Sequence, residues 1–218
     1  HAKTWTEDDP DLPLATPFPV TKASMLRKVA RDLLGVTGFK QLVGTTYLVI
    51  RVCRGEQVDA GTLPMRLERG PAIRMVIGTL VTNLALFGLL WALGHPLLYL
   101  LWFGAWMTTS KLVARIRSIA EHAVVPDPSD PIGQTRTVTA GWMERLFIAP
   151  NGVQYHLEHH LLLTVPHYNL RRFHELLRER GVLESACVAD NYGQVLRQVV
   201  VSGNRLEEGF ATALWWLA

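Results

Sequence analysis

The sequence predicts a helical integral membrane protein, and three observations lead to that class. Met75 to Leu93 form a run of nineteen residues without a charge. At about 1.5 Å per helical residue, that run matches a hydrocarbon core about 30 Å thick. Gly94-His95-Pro96 then interrupts it, and Leu97 to Ser110 form a second uncharged run of fourteen, rich in Leu and Trp. Arg66, Arg69 and Arg74 precede the pair, Lys111, Arg115 and Arg117 follow it, and the tip between the runs has no Lys or Arg. The positive-inside bias therefore expects a transmembrane hairpin with both outer ends in the cytoplasm and its tip on the far side. A buried hairpin of a soluble protein would show a polar stripe, and neither run has one.

Composition agrees. Of 218 residues, 49% are apolar and 19% charged, below the roughly 25% charge of a soluble domain. Such a chain is not a disordered tail. The formal net charge is +3, and the basic residues are spread over helix ends and flanks of apolar runs. With no dense basic patch, nucleic acid is not an expected partner. Two cysteines, Cys53 and Cys187, exclude a disulfide framework and a Cys-rich zinc module. The first residue is His1, and residues 1–20 hold four acidic residues and four prolines, which no signal peptide would. A processed chain or a fragment is expected.

The remaining elements follow in order. Residues 1–20 are turn-forming, with Asp9-Pro10-Asp11 and then Pro13, Pro17 and Pro19. Thr21 is placed to cap an amphipathic helix over about Lys22 to Leu34, stopped by Gly35. Gly38 to Arg54 is more apolar but carries Lys40, Arg51 and Arg54, and reads as interfacial. Gly55 to Gly70 is a polar connector. The second apolar run is short for a span, but Lys111 can snorkel and Trp102 and Trp106 suit an interface. Pro126, Pro128 and Pro131 predict a loop, Val153 to Leu163 a helix, Pro166 the start of another ending near Gly181, and Gly193 to Val201 a last one. This divides the chain into a cytoplasmic or interfacial segment (1–69), a transmembrane helical hairpin (70–113) and a cytoplasmic cap (114–218).

Eight histidines are unevenly distributed. Three stand in His156-Leu157-Glu158-His159-His160. On a helix, His159 lies about −60° and His160 about +40° from His156, so all three project from one face. Imidazoles so spaced suit one metal or two neighbouring ones, whereas three buried rings would each need hydrogen-bond partners. His1 and His122 look ordinary by themselves. Two crossings, however, return the chain to the same side, so His1, His122, His156, His159 and His160 can meet at one cytoplasmic site. His95 is at the hairpin tip and is excluded. His167 and His174 read as packing or surface residues.

At these residues the chain resembles the membrane fatty acid desaturases. His156-Leu157-Glu158-His159-His160, preceded by Asn151 and Tyr155 and followed by Val165-Pro166-His167-Tyr168-Asn169-Leu170, looks like their third histidine box. Arg117-Ser118-Ile119-Ala120-Glu121-His122 resembles the isolated ligand histidine after their second hairpin, and His1-Ala2-Lys3-Thr4 with Asp8-Asp9-Pro10-Asp11 resembles the end of their second box. Leu162-Leu163-Thr164 departs from the Phe-Pro pair common in relatives, and Ser118 stands where some relatives place an Asn. The resemblance implies an all-α membrane enzyme whose hairpins carry a cytoplasmic helical cap with a histidine-ligated diiron site. It implies two Fe ions as cofactor, O2 as co-substrate, and His1, His122, His156, His159 and His160 as metal ligands, with no catalytic residue beyond them. It also implies an acyl-lipid, acyl-CoA or acyl-carrier substrate, and an electron donor such as ferredoxin or cytochrome b5.

Breaking an unactivated C–H bond is beyond side-chain acid–base chemistry, so a metal must supply it. Glu121 and Glu158 have two readings, as carboxylates that orient ligand rings or as surface ion pairs. No Gly-rich fingerprint predicts bound flavin or nicotinamide. The alternatives are a hydroxylase or ketolase of the same superfamily, acting on an alkane, a lipid or a carotenoid, and a non-catalytic membrane metal-binding or transport protein. The last would place ionisable residues inside the spans, and neither run contains one. The family uses more imidazoles than the five that match, so the chain resembles a C-terminal part starting at the last His of the second box. Residues 1–218 expressed alone are therefore expected to hold less than two irons per chain and to desaturate nothing. Iron analysis with single-turnover oxidation of an acyl substrate checks this, and two irons with product would overturn the ligand assignment.

Overall fold

The computed structural model describes residues 18–56, 69–127 and 130–201. They form nine α-helices and four strands of two residues each, and the chain divides into two compact units, Val29–Leu112 and the remainder. The expected run of 1–17, the centre of the polar connector (57–68) and Pro128 lie outside the described residues.

In the first unit, α1 (Lys22–Leu33) ends at Gly35, whose φ of 75° is the left-handed stop that glycine supplies. Across that stop the Thr37 hydroxyl donates to Asp32 Oδ1 at 2.6 Å. Helix α2 (Val36–Cys53) packs against both α3 (Arg69–Ala92) and α4 (Leu98–Met107). Gly38 makes the α2–α4 approach possible, since a Cβ there would stand 2.3 Å from the Met107 carbonyl oxygen. Helix α3 contains Met75 to Ala92, all of the nineteen-residue uncharged run but its last residue, and only Ala72 of the helix is buried. Gly94, at φ 79°, turns the chain into α4. There the Tyr99 hydroxyl donates to Asn83 Oδ1 at 2.9 Å, and the Tyr99 ring meets Phe87 edge-on.

The second expected apolar helix is shorter than the run that predicts it. It ends at Met107, and α5 (Thr109–His122) starts after Thr108, which has non-helical angles of φ −119° and ψ −84°. The hydroxyls of Thr108, Thr109 and Ser110 donate back to the carbonyls of Gly104, Ala105 and Trp106 at 2.7, 3.2 and 2.7 Å. Such back-bonding competes with the helical ladder and bends it.

The second unit holds α6 (Trp142–Phe147), α7 (His156–Leu161), α8 (Leu170–Glu179) and α9 (Tyr192–Gln198). Strand β1 (Val20–Thr21) pairs in parallel with β4 (Val200–Val201), and β2 (Thr137–Val138) with β3 (Val188–Ala189). The core gathers Ile119, Ala120, Val138, Tyr192, Val195 and Val199. The described residues are mostly helical, as the expected all-α class requires, and the four strands of two residues are too short to leave an alternating pattern in the sequence. The helix expected over Val153 to Leu163 is also corrected, to the six residues of α7. Asn151 and Gly152 are left-handed, at φ 59° and 74°, and Leu162 at φ −146° ends the helix.

Gly38→Val should destabilise the first unit by at least about 1–3 kcal/mol, the ordinary cost of overpacking, because the clash is with backbone. Thermal unfolding in detergent checks this, and an unchanged midpoint would contradict the close approach.

Candidate metal centre

Three imidazoles converge in the second unit. His122 is the last residue of α5, while His156 and His160 stand one turn apart on α7. His156 Nε2 lies 3.0 Å from His122 Nε2 and 3.0 Å from His160 Nε2. The three ligand atoms lie within 4.8 Å of one another. The His159 ring centroid is 6.0 Å from those of both His156 and His160. His159 thus borders the cluster without joining its three-nitrogen group. His1 lies outside the described residues. His95 is exposed in the α3–α4 turn of the other unit, and His167 is exposed beside Tyr168.

The geometry fits a metal better than a hydrogen-bond chain. A ring nitrogen has a single in-plane position, filled by either a proton or a lone pair. His156 Nε2 therefore cannot satisfy two neighbours at hydrogen-bond distance. Two nitrogens each about 2.1 Å from one cation, at a right angle, stand about 3.0 Å apart. Burial, then the neighbouring His122, His160, His159 and Arg117, hold His156 well below the ordinary histidine pKa. Burial, then His122 and His159, push His160 down to about 3. Both rings are therefore neutral at pH 7 and offer lone pairs, the form a metal requires. Ser118, one turn before His122 on the same helix face, has a buried hydroxyl with no hydrogen-bond partner among the described residues.

The two carboxylates have different positions. Glu121 is buried, with Oε2 4.0 Å from His156 Nδ1 and Oε1 3.4 Å from Arg117 Nε. It is the carboxylate behind a ligand ring, although beyond direct hydrogen-bond reach. Glu158 is fully buried and faces away from the cluster. The Thr137 hydroxyl donates to its Oε2, and His174 Nδ1 donates to its Oε1 at 2.6 Å. The surface reading of Glu158 is corrected, and His174, read as a packing or surface residue, is packed against Glu158 and Tyr155. A buried carboxylate requires partners, and His174 on α8 supplies one. The hint in the sequence was an acidic residue opposite the ligand face of a helix that must bury that side.

Arg136 was not singled out by sequence reasoning. It is buried, and its Nη1 donates to the carbonyls of Ala120 and Ala123 at 2.9 and 3.0 Å, its Nη2 to that of Val124 at 2.8 Å. Ala120 is in the last turn of the helix that ends at His122, where helix geometry leaves carbonyls without helical partners, and Ala123 and Val124 follow directly after it. Val124 itself is left-handed at φ 50°, a strained conformation for a β-branched residue. An arginine 12 residues along the chain from Val124 leaves no local motif to find.

A mostly helical chain with three imidazoles converging on one point defines a candidate histidine-liganded metalloprotein. The fatty acid desaturase family model matches residues 1–191, and the chain belongs to that family. No curated protein and no solved structure matches it.

Because His156 Nε2 faces both other nitrogens, His156→Ala in the product of the complete gene should remove bound iron, while His95→Ala should retain it. Iron per chain by elemental analysis checks this. Wild-type iron content in the His156 variant would refute the centre.

Proposed function

We propose that the chain is part of a membrane-bound desaturase that introduces a C=C bond into an acyl chain of a lipid, a CoA ester or an acyl carrier. The observation that supports this reading best is the convergence of His122, His156 and His160 in a chain of the fatty acid desaturase family. Two irons, activating O2 with two electrons from a ferredoxin or cytochrome b5, would supply the oxidation of two adjacent methylenes. His122, His156 and His160 would hold one iron, and His159 and His1 would contribute to the pair. Burial and the neighbouring rings keep His156 and His160 neutral, and Glu121 stands behind His156. A hydroxylase or ketolase reading has no observation of its own in its favour.

The same reading assigns α3 to the bilayer. Its 24 residues are long and apolar enough to cross, and its apolar window is unburied. Leu80, Val81, Leu84, Leu89 and Trp91 are exposed around its circumference, which water would penalise and lipid would not. Lys111 lies 4.1 Å from the Trp106 ring centroid, a pairing suited to the interface. We therefore read 70–113 as a transmembrane hairpin, 1–69 as interfacial and 114–218 as a cytoplasmic cap with the metal centre.

Lipid profiling of cells that express the complete gene tests the activity. A new double bond, lost in His160→Ala, is expected, and a hydroxylated or keto product would transfer the chain to the alternative chemistry. Topology is tested by thiol labelling of Leu97→Cys and Trp142→Cys after Cys53 and Cys187 are replaced by Ser. The two positions are exposed, at 75% and 68%, and should label from opposite sides. Labelling of both from one side would overturn the hairpin.

A further inference from the structure

We propose that Arg136 and Thr137, neither of which hydrogen-bonds a histidine of the cluster, are positioning residues that fix the two ligand-bearing helices in register. The inference rests on the metal-binding reading of His122, His156 and His160.

The ligands come from separate helices, His122 from α5 and His156 and His160 from α7. Helix α7 has only six residues, too few to hold its own axis. Ligand atoms must nevertheless be held within about 0.5 Å of their working positions. Something outside the two helices must set their spacing and their rotation.

The segment entering β2 bonds to both. Successive side chains of an extended segment leave opposite sides. The Arg136 guanidinium goes to α5, where it takes the carbonyls of Ala120, Ala123 and Val124. The Thr137 hydroxyl goes to α7, where it donates to buried Glu158, the residue between the ligand histidines. His174 fixes the other oxygen of that carboxylate, so the rotation of α7 is held from two directions. The backbone repeats the pattern. Arg136 N–H donates to Glu121 O at 3.0 Å, Thr137 N–H to Cys187 O at 3.0 Å, and Val138 N–H to Gln154 O at 3.0 Å. Three consecutive residues thus tie the end of α5, the start of α7 and the β3 segment together. The strain at Val124 is held in the same place, since its carbonyl accepts from Arg136.

The test uses the product of the complete gene in detergent, with cobalt(II) alone as probe, read by its d–d absorption and by titration. Thr137→Val removes the hydroxyl at constant shape. It should weaken cobalt binding about ten- to hundredfold, as loss of an outer-sphere partner does, and shift the d–d band. Thr137→Ser should restore both. Arg136→Lys keeps the charge but loses the fork that spans three carbonyls, and should shift the same band. Thr139→Val is the control: its hydroxyl donates only to the carbonyls of Ala189 and Asp190, each at 3.3 Å. It should leave the band unmoved even where it lowers the melting temperature. Wild-type affinity and spectrum in folded Thr137→Val, or the same displacement in Thr139→Val, would overturn the proposal. Should Thr137→Val not fold, a wild-type band and affinity in Arg136→Lys would overturn it instead. If the wild-type protein binds no cobalt, the metal-centre reading itself fails, and that failure is separate from any difference among variants.

Discussion

One nitrogen imposes the main constraint on this molecule. His156 Nε2 faces His122 Nε2 and His160 Nε2, each at 3.0 Å, yet has a single position for either a proton or a lone pair. No choice of tautomer satisfies both neighbours. With His156 and His160 kept neutral by burial and by the neighbouring rings, the cluster offers lone pairs near one point, the form in which imidazoles bind a cation. The short helix, the left-handed turn that leads into it and the carboxylate beneath it all serve to hold that arrangement.

That arrangement is expensive to build from a helix of six residues. Leu157 and Glu158 are the residues of α7 that turn inward, and one of them is a carboxylate. Burying a carboxylate costs several kcal/mol unless hydrogen bonds replace its water. Thr137 and His174 do so, and in return the carboxylate fixes which face of α7 points to the cluster. An apolar residue at 158 would pack as well but would leave the rotation of the helix undetermined. At the other ligand helix the same difficulty is met differently. A single guanidinium satisfies the carbonyl of Ala120 in the last turn of α5 and those of Ala123 and Val124 just beyond it.

How far the sequence reveals this depends on the range of each interaction. The nineteen-residue apolar run, the stop at Gly35 and the break at Gly94 are local, and they stand where sequence reasoning expects them, within the limits of element boundaries. The ligand face of His156 and His160 is likewise local, a matter of helical period. The association of His122 with them across 34 positions followed from the family resemblance and topology, and the structure brings the rings together. What stayed hidden is non-local and polar. Arg136 meets its carbonyls 12 to 16 positions back, and Glu158 meets His174 16 positions ahead. No periodicity encodes those pairs. The helix over 153–155 was misread because Asn151 and Gly152 take left-handed angles that an apolar pattern does not announce.

The placement of polar groups also bears on what kind of work the metal would do. A protein that moves ions across a bilayer needs ionisable groups along the path. From Met75 to Ala92 in α3, and throughout α4, there are none, and the polar pair there is Asn83 with Tyr99, each satisfied by the other. His122, His156 and His160 lie in the other unit, where Glu121 Oε2 stands 4.0 Å from His156 Nδ1. Neutral imidazoles, as His156 and His160 are, bring no negative charge of their own to a cation, a different donor chemistry from the ionisable groups that line the path of an ion carrier.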